Sequence, residues 1–513
     1  MAHNRDPKDV QAWLIGSGIA SLAAAVHLVK QANIPARQVH ILDVHKGSGG
    51  AMEEVSGDPN DGYVLHTGAQ PYFHEDCVEE LLKLVPSPDN PENTIWDTIE
   101  DYELHGGPGH KTKTRLLRHR GEETKVDTHG MQIGAKLRMD LVVFLLDREK
   151  ASDSRRISDV FDGSFFQTEF WTLWSTTFLL QPWHSAAEFR RLLAKYLPKL
   201  QTHGEVPELE RTRFSLYETL IIPITKYLKD LGAGDPTTIS EIIMLEDGKE
   251  RLITVDPSDI VIVTLGSIST GMQTGSNQKR PEAVSAEALT SGEWSLWKQL
   301  ADKSLKFGNP SNFSTRVDET KIETFTVTLR ESDFMKYYSQ LTKDKPGTGS
   351  LITIKESPWG LNVSVPHQPV FKTQPEIVDL IWGYGLHPEK TGTYVKKPME
   401  ECSGEEIFLE LLSHMKFPTD SLLPLSTTIP CLFPLGTSTL LTRKLNDRPS
   451  VIPHDTTNVA FIGQYVDIPN DTTFSVEYSV RGAQMAVSRL MGLPKEPPKI
   501  NKNVLLEVLQ CFS

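Results

Sequence analysis

The sequence predicts an α/β fold assembled around a parallel sheet, with a mixed α+β domain inserted into it and a helical C-terminal part. Three observations predict this. First, an apolar strand, Ala12-Trp13-Leu14-Ile15, runs through Gly16 and Gly18 into an Ala-rich helix, and a second apolar strand, Val39 to Leu42, ends at Asp43. Second, a buried-type strand, Ile260 to Thr264, ends at Gly266-Ser267. Third, Asn458 to Ile462 reads as a strand ending at Gly463, with a helix beginning near Phe474. Three strand-to-glycine passages in this order describe a Rossmann-like, two-dinucleotide-binding architecture in which the chain leaves the nucleotide sheet and twice returns to it.

Each element has its own chemical reason. Gly16 permits the tight turn, and Gly18 lets backbone N–H groups approach a pyrophosphate at the positive helix N-terminus. Ala20 and Ser21 are small enough for the helix to lie close to the sheet, Ser21 standing where the fingerprint has its third glycine. Asp43, a little over twenty residues further on, is placed to accept hydrogen bonds from a ribose. Shortly after it come Gly49, Gly50 and Met52 in the run Gly47-Ser48-Gly49-Gly50-Ala51-Met52. An acid, a short spacer and paired glycines match the FAD version of the unit; an ordinary surface loop is the plainer alternative. Gly68 falls in the next loop. Gly266 and Ser267 suit a close backbone pass at the adenosine end, and Gly463 with Thr473 suits a second helix N-terminus aimed at the flavin or ribityl region.

These passages divide the chain into an FAD-binding βαβ unit (8–80), a largely helical, aromatic-rich segment (81–210), a return to the cofactor domain (211–280), a substrate domain (281–450), a C-terminal return (451–490) and a tail (491–513). Phe161, Phe165, Phe170, Trp171, Trp174 and Phe178 in the second segment read as core, or else as the wall of a tunnel for a long apolar ligand. Strands are expected at Ile239 to Met244 and Arg251 to Val255, and a helix over 214–233. At 513 residues the chain is long enough for two or three domains. A net charge of −14 disfavours broad binding to nucleic-acid phosphates. The four cysteines, Cys77, Cys402, Cys431 and Cys511, have no metal-ligand spacing, so no metal is expected. The polar N-terminus lacks a signal-peptide core and no apolar run spans a bilayer, which makes a cytoplasmic protein the expectation.

Longer motifs carry a family likeness. Gly16 to Ala25, Trp183-His184-Ser185-Ala186-Ala187-Glu188, Gly292-Glu293-Trp294-Ser295-Leu296-Trp297, Asp447-Arg448-Pro449, Ala460-Phe461-Ile462-Gly463 and Phe474 to Arg481 together resemble the oleate hydratase family of flavoproteins, also called myosin-cross-reactive antigens. The likeness runs from about residue 12 to 490. It implies bound FAD, addition of water across a double bond of an unsaturated fatty acid without net electron transfer, and a homodimer. It also implies a lipid-surface contact through the tail. Val504 to Phe512 suits such a peripheral membrane contact, or simply terminal packing.

Alkene hydration needs a proton donor at one carbon and a base or water-holder at the other. The resemblance places a Glu where this chain has Gln70, in His66-Thr67-Gly68-Ala69-Gln70, and a proton-donating Tyr where it has Leu192, after Arg190-Arg191. An amide holds a water but takes no proton at neutral pH. Tyr72, held behind Pro71, is the best local substitute donor. His74, Glu75 and Asp76 are nearby, the acids suiting a helix N-terminus. His184 and Glu188 are four apart, which suits either catalysis or a structural hydrogen bond on one helical face. Tyr217 matches a family position and is either catalytic or packing. Thr437 and Ser438 align with the family's hydroxyls for the substrate carboxylate. Three functions stay open: hydration with remodelled acid/base groups, FAD-dependent isomerisation or cyclisation of a polyunsaturated chain, and flavin or lipid binding without catalysis. Oxidase chemistry is a weaker fourth.

Overall fold

The structure, a computed structural model, describes residues 5–43, 47–67, 72–73, 75–106, 116–120, 123–127, 134–146, 152–200, 209–210, 212–232, 244–246, 249–251, 255–256, 258–285, 287–290, 292–347 and 351–500. The nucleotide sheet consists of β1 (Ala12–Ile15), β2 (Val39–Leu42), β3 (Ile260–Thr264) and β4 (Val459–Ile462), in the order β4-β3-β1-β2 and all parallel. Leu14 lies between Ile262 and Ile41, and Val263 pairs with Phe461, so the three chain passages named from sequence are adjacent strands of one sheet. Their carboxyl ends carry the glycine turns, where ligands of open α/β sheets bind. Helix α1 (Ile19–Lys30) is buried continuously from Ala20 to Leu28. That is why it reads as apolar all round and not as amphipathic. It packs against α2 (Val476–Met491), which ends on Gly492 at φ 67.

The inserted domain is built on an eight-stranded sheet whose longest strands are Ile322–Arg330, Val378–Gly385 and Ser426–Phe433. Strand alternation gives its two faces different work. Phe325, Val327 and Leu329 pack under the helix Gly404–Met415, which opens with a Ser403–Glu406 capping box. On the opposite face the Thr326 and Thr328 hydroxyls accept from the backbone N–H groups of Leu65 and Tyr63 (2.9 and 3.0 Å). The Gly62–Val64 strand is thereby fixed across the large sheet, just before the loop that contains Gln70.

Two expectations change. Leu116–Arg120 and Glu123–Asp127, expected in a largely helical segment, pair as antiparallel strands at the edge of the large sheet. The 214–233 helix begins as a π-helical turn, Tyr217–Ile221, before Ile222–Asp230. The strand expected at 251–255 lies mostly outside the described residues, as does that at 239–244. Phe161, Phe165, Phe170, Trp171, Trp174 and Phe178 are buried in one cluster, the core reading of that aromatic run. Among the described residues no helix is long and apolar enough to cross a membrane, and no group of three His, Cys, Asp or Glu is placed to hold a metal.

Candidate functional site

The glycine-tipped ends of β1, β3 and β4 form a cradle. Gly16 has φ +103, and a Cβ there would meet Thr264 at 3.2 Å. Gly18 caps α1 with no side chain, and the helix's first turn contains no acid, so its N–H groups are left to an anion. Ser21, the residue in place of the third glycine, is buried, and its hydroxyl meets that of Thr264 at 3.0 Å, bridging α1 to β3. The serine therefore keeps helix and sheet close by a hydrogen bond instead of by lack of a side chain.

The paired-glycine loop is part of the same cradle. Gly49 N–H donates to the Ser17 carbonyl (2.9 Å), and Gly18 and Gly49 form a parallel bridge. Gly49 and Gly50 have φ +120 and +57, and Met52 packs against the nucleotide-domain core. A Cβ on Gly49 would lie 2.9 Å from the Tyr217 ring, so the π-helical turn closes directly on this loop. Asp43 accepts from both the backbone N–H and the hydroxyl of Ser17, each 2.6 Å, through one oxygen. At least half of this carboxylate fastens the glycine turn instead of reaching a ribose. Gly266 (φ +59) abuts Trp294 and Tyr465, and the Ser267 hydroxyl meets that of Ser269 at 2.7 Å. Gly463 (φ +93) faces Thr264. Beyond it the hydroxyls of Thr472 and Thr473 are buried without a hydrogen-bond partner among the described residues, just ahead of α2, whose N-cap Ser475 makes no side-chain cap. Orphaned hydroxyls just ahead of α2, and glycines before the acid-free N-terminus of α1, fit a dinucleotide with a polar ring system, as FAD is.

The family model of the MCRA family matches residues 9–488. The chain belongs to the MCRA family. An oleate hydratase of Streptococcus pyogenes serotype M49 (strain NZ131) is 30% identical over 541 residues, covering 99% of this chain and 90% of that protein. A linoleate hydratase of Lactiplantibacillus plantarum is 25% identical, covering 95% and 94%. In fold, the chain is similar to an oxidoreductase from Methanosarcina mazei (12% identity, TM-score 0.50, covering 92% and 98%). It is also similar to reduced UDP-galactopyranose mutase (11%, 0.50, 98% and 97%). The Rossmann-like fold and the FAD cradle of this MCRA protein are thus supported from sequence, geometry and kinship together.

The polar groups suggested for chemistry fare unevenly. Gly68 and Gln70 lie outside the described residues, as does the side chain of Tyr72, whose backbone pairs with Glu210. His184 is not on one helical face with Glu188, because the helix starts at Ala186. Its Nδ1 accepts from Gln181 N–H (3.1 Å), so Nε2 bears the proton and faces the Glu319 carbonyl (3.3 Å). Burial lowers its pKa to about 4. It is a neutral structural group with both nitrogens occupied, which removes the geometric case for catalysis. Thr437 and Ser438 are buried and donate to the carbonyls of Thr320 (3.0 Å) and Leu435 (2.8 Å). Neither hydroxyl proton is left for a substrate carboxylate. Leu192 is fully buried in the aromatic cluster.

What sequence reasoning missed is a charge network beneath the cradle. Glu188, Arg191, Arg443, Arg448 and Asp467 form one group, formally +1. Glu75, Lys195, Asp471, Glu477 and Arg481 form another, formally −1. Arg191 joins them by donating to the Asp471 carbonyl (3.2 Å), and the two net charges offset. Glu75, at the far end of the Gln70 loop, accepts from Tyr196 (3.0 Å) and Ser475 (2.7 Å). Its partners lie 121 and 400 residues away, separations no local pattern reveals.

Proposed function

We propose that this protein adds water across a C=C bond of an unsaturated fatty acid, with FAD held between the Gly16–Gly18 turn, the Gly49–Gly50 loop and the Thr472–Thr473 approach to α2. One observation carries the reading. Over nearly their whole length, two relatives named as fatty acid hydratases align with a chain whose cradle keeps its glycines and orphaned hydroxyls. When bound, FAD supplies a polar planar surface that shapes and polarises the pocket, with no net oxidation required of it.

The protein's own residues do the rest. The aromatic cluster with Leu192 excludes water behind the Ala186–Leu200 helix. Gln70 holds a water through its amide but takes no proton from it. Tyr217, its ring set on Gly49, is half-buried, and burial with the nearby Glu53 and Glu54 raises its pKa, so its hydroxyl stays protonated. A second reading, double-bond isomerisation of a polyunsaturated chain, is favoured by the aliphatic core position of Leu192, where the family resemblance places a hydroxyl. The test is incubation of FAD-loaded protein with oleate and with linoleate, followed by chromatography and mass detection. Gain of one water supports hydration; unchanged mass with altered retention supports isomerisation. No product with either, despite lipid binding, refutes both.

A further inference from the structure

Glu54 follows the paired-glycine loop, precedes the Val55–Asp58 strand, and is in electrostatic contact with Glu218 of the π-helical turn that closes on Gly49. Its side chain is buried, at 7% exposure. The Ser215 hydroxyl hydrogen-bonds to the carboxyl group; Ser215 Oγ also accepts from Glu218 N–H (3.3 Å), which leaves the serine's own proton for Glu54. The other oxygen, Oε2, is buried with no hydrogen-bond partner among the described residues. A carboxylate left half-unsolvated is costly, and a neutral acid is far less so.

The surrounding charges push the same way. Glu218 faces it from the π-helical turn, and Glu53 is its neighbour on the loop. Tyr217 is a neutral phenol, and His66 on the strand side is kept neutral by burial, its Nδ1 on the Glu53 carbonyl (2.6 Å). Lys372 opposes Glu218 by its charge and by its backbone N–H (2.9 Å), but no cation among the described residues acts on Glu54 itself. Burial first, then Glu218, raises the Glu54 pKa to about 8 against the pull of Ser215. Glu54 therefore carries a proton at pH 7.

We infer that Glu54 is the general acid of this site, delivering the proton that Leu192 cannot. The inference rests on the hydration reading. The Glu54 O–H bond breaks as the alkene π pair forms a new C–H bond. A water lone pair then bonds to the other carbon, and the surplus proton of that water returns to the Glu54 carboxylate. One water is added and no electrons are gained or lost. A buried acid poised near neutral pH suits this cycle.

Infrared difference spectroscopy of the FAD-loaded protein tests the assignment apart from turnover. The wild type should show a protonated-carboxyl band at pH 7 that titrates near pH 8, disappears in Glu54→Gln and shifts when oleate is added. Glu323, wholly buried with its pKa pushed well up, contributes a carboxyl band of its own that Glu54→Gln leaves in place; if no component titrating near pH 8 is lost in Glu54→Gln, or if oleate leaves that component unmoved, the inference is overturned. In the hydration assay, Glu54→Gln at equal flavin content should lose at least roughly 100-fold in rate. Glu54→Asp should retain partial activity, and the wild-type rate should fall above pH 8 with a limb missing from the Gln variant. An unchanged rate or pH profile in Glu54→Gln also overturns it. If the wild type hydrates neither oleate nor linoleate, the hydration reading fails, and the infrared result still decides whether a protonated Glu54 meets the lipid.

Discussion

Replacing Glu188 by Gln keeps the side chain's shape and deletes one charge from the network beneath the cradle. Glu188 is wholly buried and accepts from Arg443 (2.9 Å) and Arg448 (3.1 Å). Burial alone would raise its pKa, but Arg448, Arg443 and Arg191 outweigh it and hold the carboxyl at about 2, against an ordinary 4.5. That difference corresponds to about 3 kcal/mol of stability at neutral pH. An independent route gives a similar figure: removing one partner from a buried ionic group costs about 3–5 kcal/mol. With an unfolding entropy of about 2.1 cal/mol/K per residue, a chain of this length should melt about 3–5 °C lower. Because the folded-state pKa is depressed, the contribution is complete above pH 4.5 and is lost as pH falls toward 2. Circular dichroism melts of FAD-loaded wild type and Glu188→Gln should therefore differ equally at pH 7 and pH 5, and the gap should narrow below 4.5. A variant melting within about 1 °C of wild type at pH 7 refutes the argument, as does a gap that widens in acid.

Gly49→Ala should weaken FAD binding by about tenfold or more, read by calorimetry, because φ +120 strains any side chain and the new Cβ meets the Tyr217 ring at 2.9 Å; unchanged affinity would mean the loop does not touch the cofactor. His184→Gln should destabilise by about 1–3 kcal/mol, measured by melting, yet leave the pH profile of turnover near pH 6–7 unmoved, since the native imidazole is already neutral there. Leu192→Tyr should cost about 1–3 kcal/mol by overpacking a fully buried position, and Gln70→Glu with Leu192→Tyr should raise hydration only if the variant still folds and binds flavin; a folded, flavin-loaded double variant with no gain would show that those two positions do not limit the reaction.

The cradle was largely legible in the sequence because its determinants are local. Gly16, Gly49, Gly266 and Gly463 each report a positive-φ backbone shape that few other residues adopt, while Gly18, in ordinary extended backbone, matters for lacking a side chain at the cap of α1. Asp43 was recognised as the acid ending β2, but its grip on Ser17 was not, since a side-chain rotamer leaves no trace in spacing. The paired strands Leu116–Arg120 and Glu123–Asp127 were missed because they gain their partners from a sheet formed mostly by residues beyond 320. His184 misled for a related reason: a motif preserves a histidine equally well for satisfying the Gln181 and Glu319 backbone as for moving protons. Glu54 was overlooked because an acid after a glycine loop looks solvated until burial is known.

The Ala186–Leu200 helix shows why scaffold and chemistry can separate in this protein. One side of it presents Glu188, Arg191 and Lys195 to the charge network, and the other sends Phe189, Leu192 and Tyr196 into the aromatic cluster. Tyr196, one turn beyond Leu192, stacks on Phe178 and donates to Glu75, so helix, loop and α2 stay tied together whatever stands at position 192. Leu192 therefore sits in the core without strain on these ties, and the cradle constrains the cofactor more tightly than the reaction. What decides the reaction is the supply of a proton near the glycine loop. On the proposal made above, that proton comes from Glu54, which among the described residues has no cation acting on it and one oxygen without a partner.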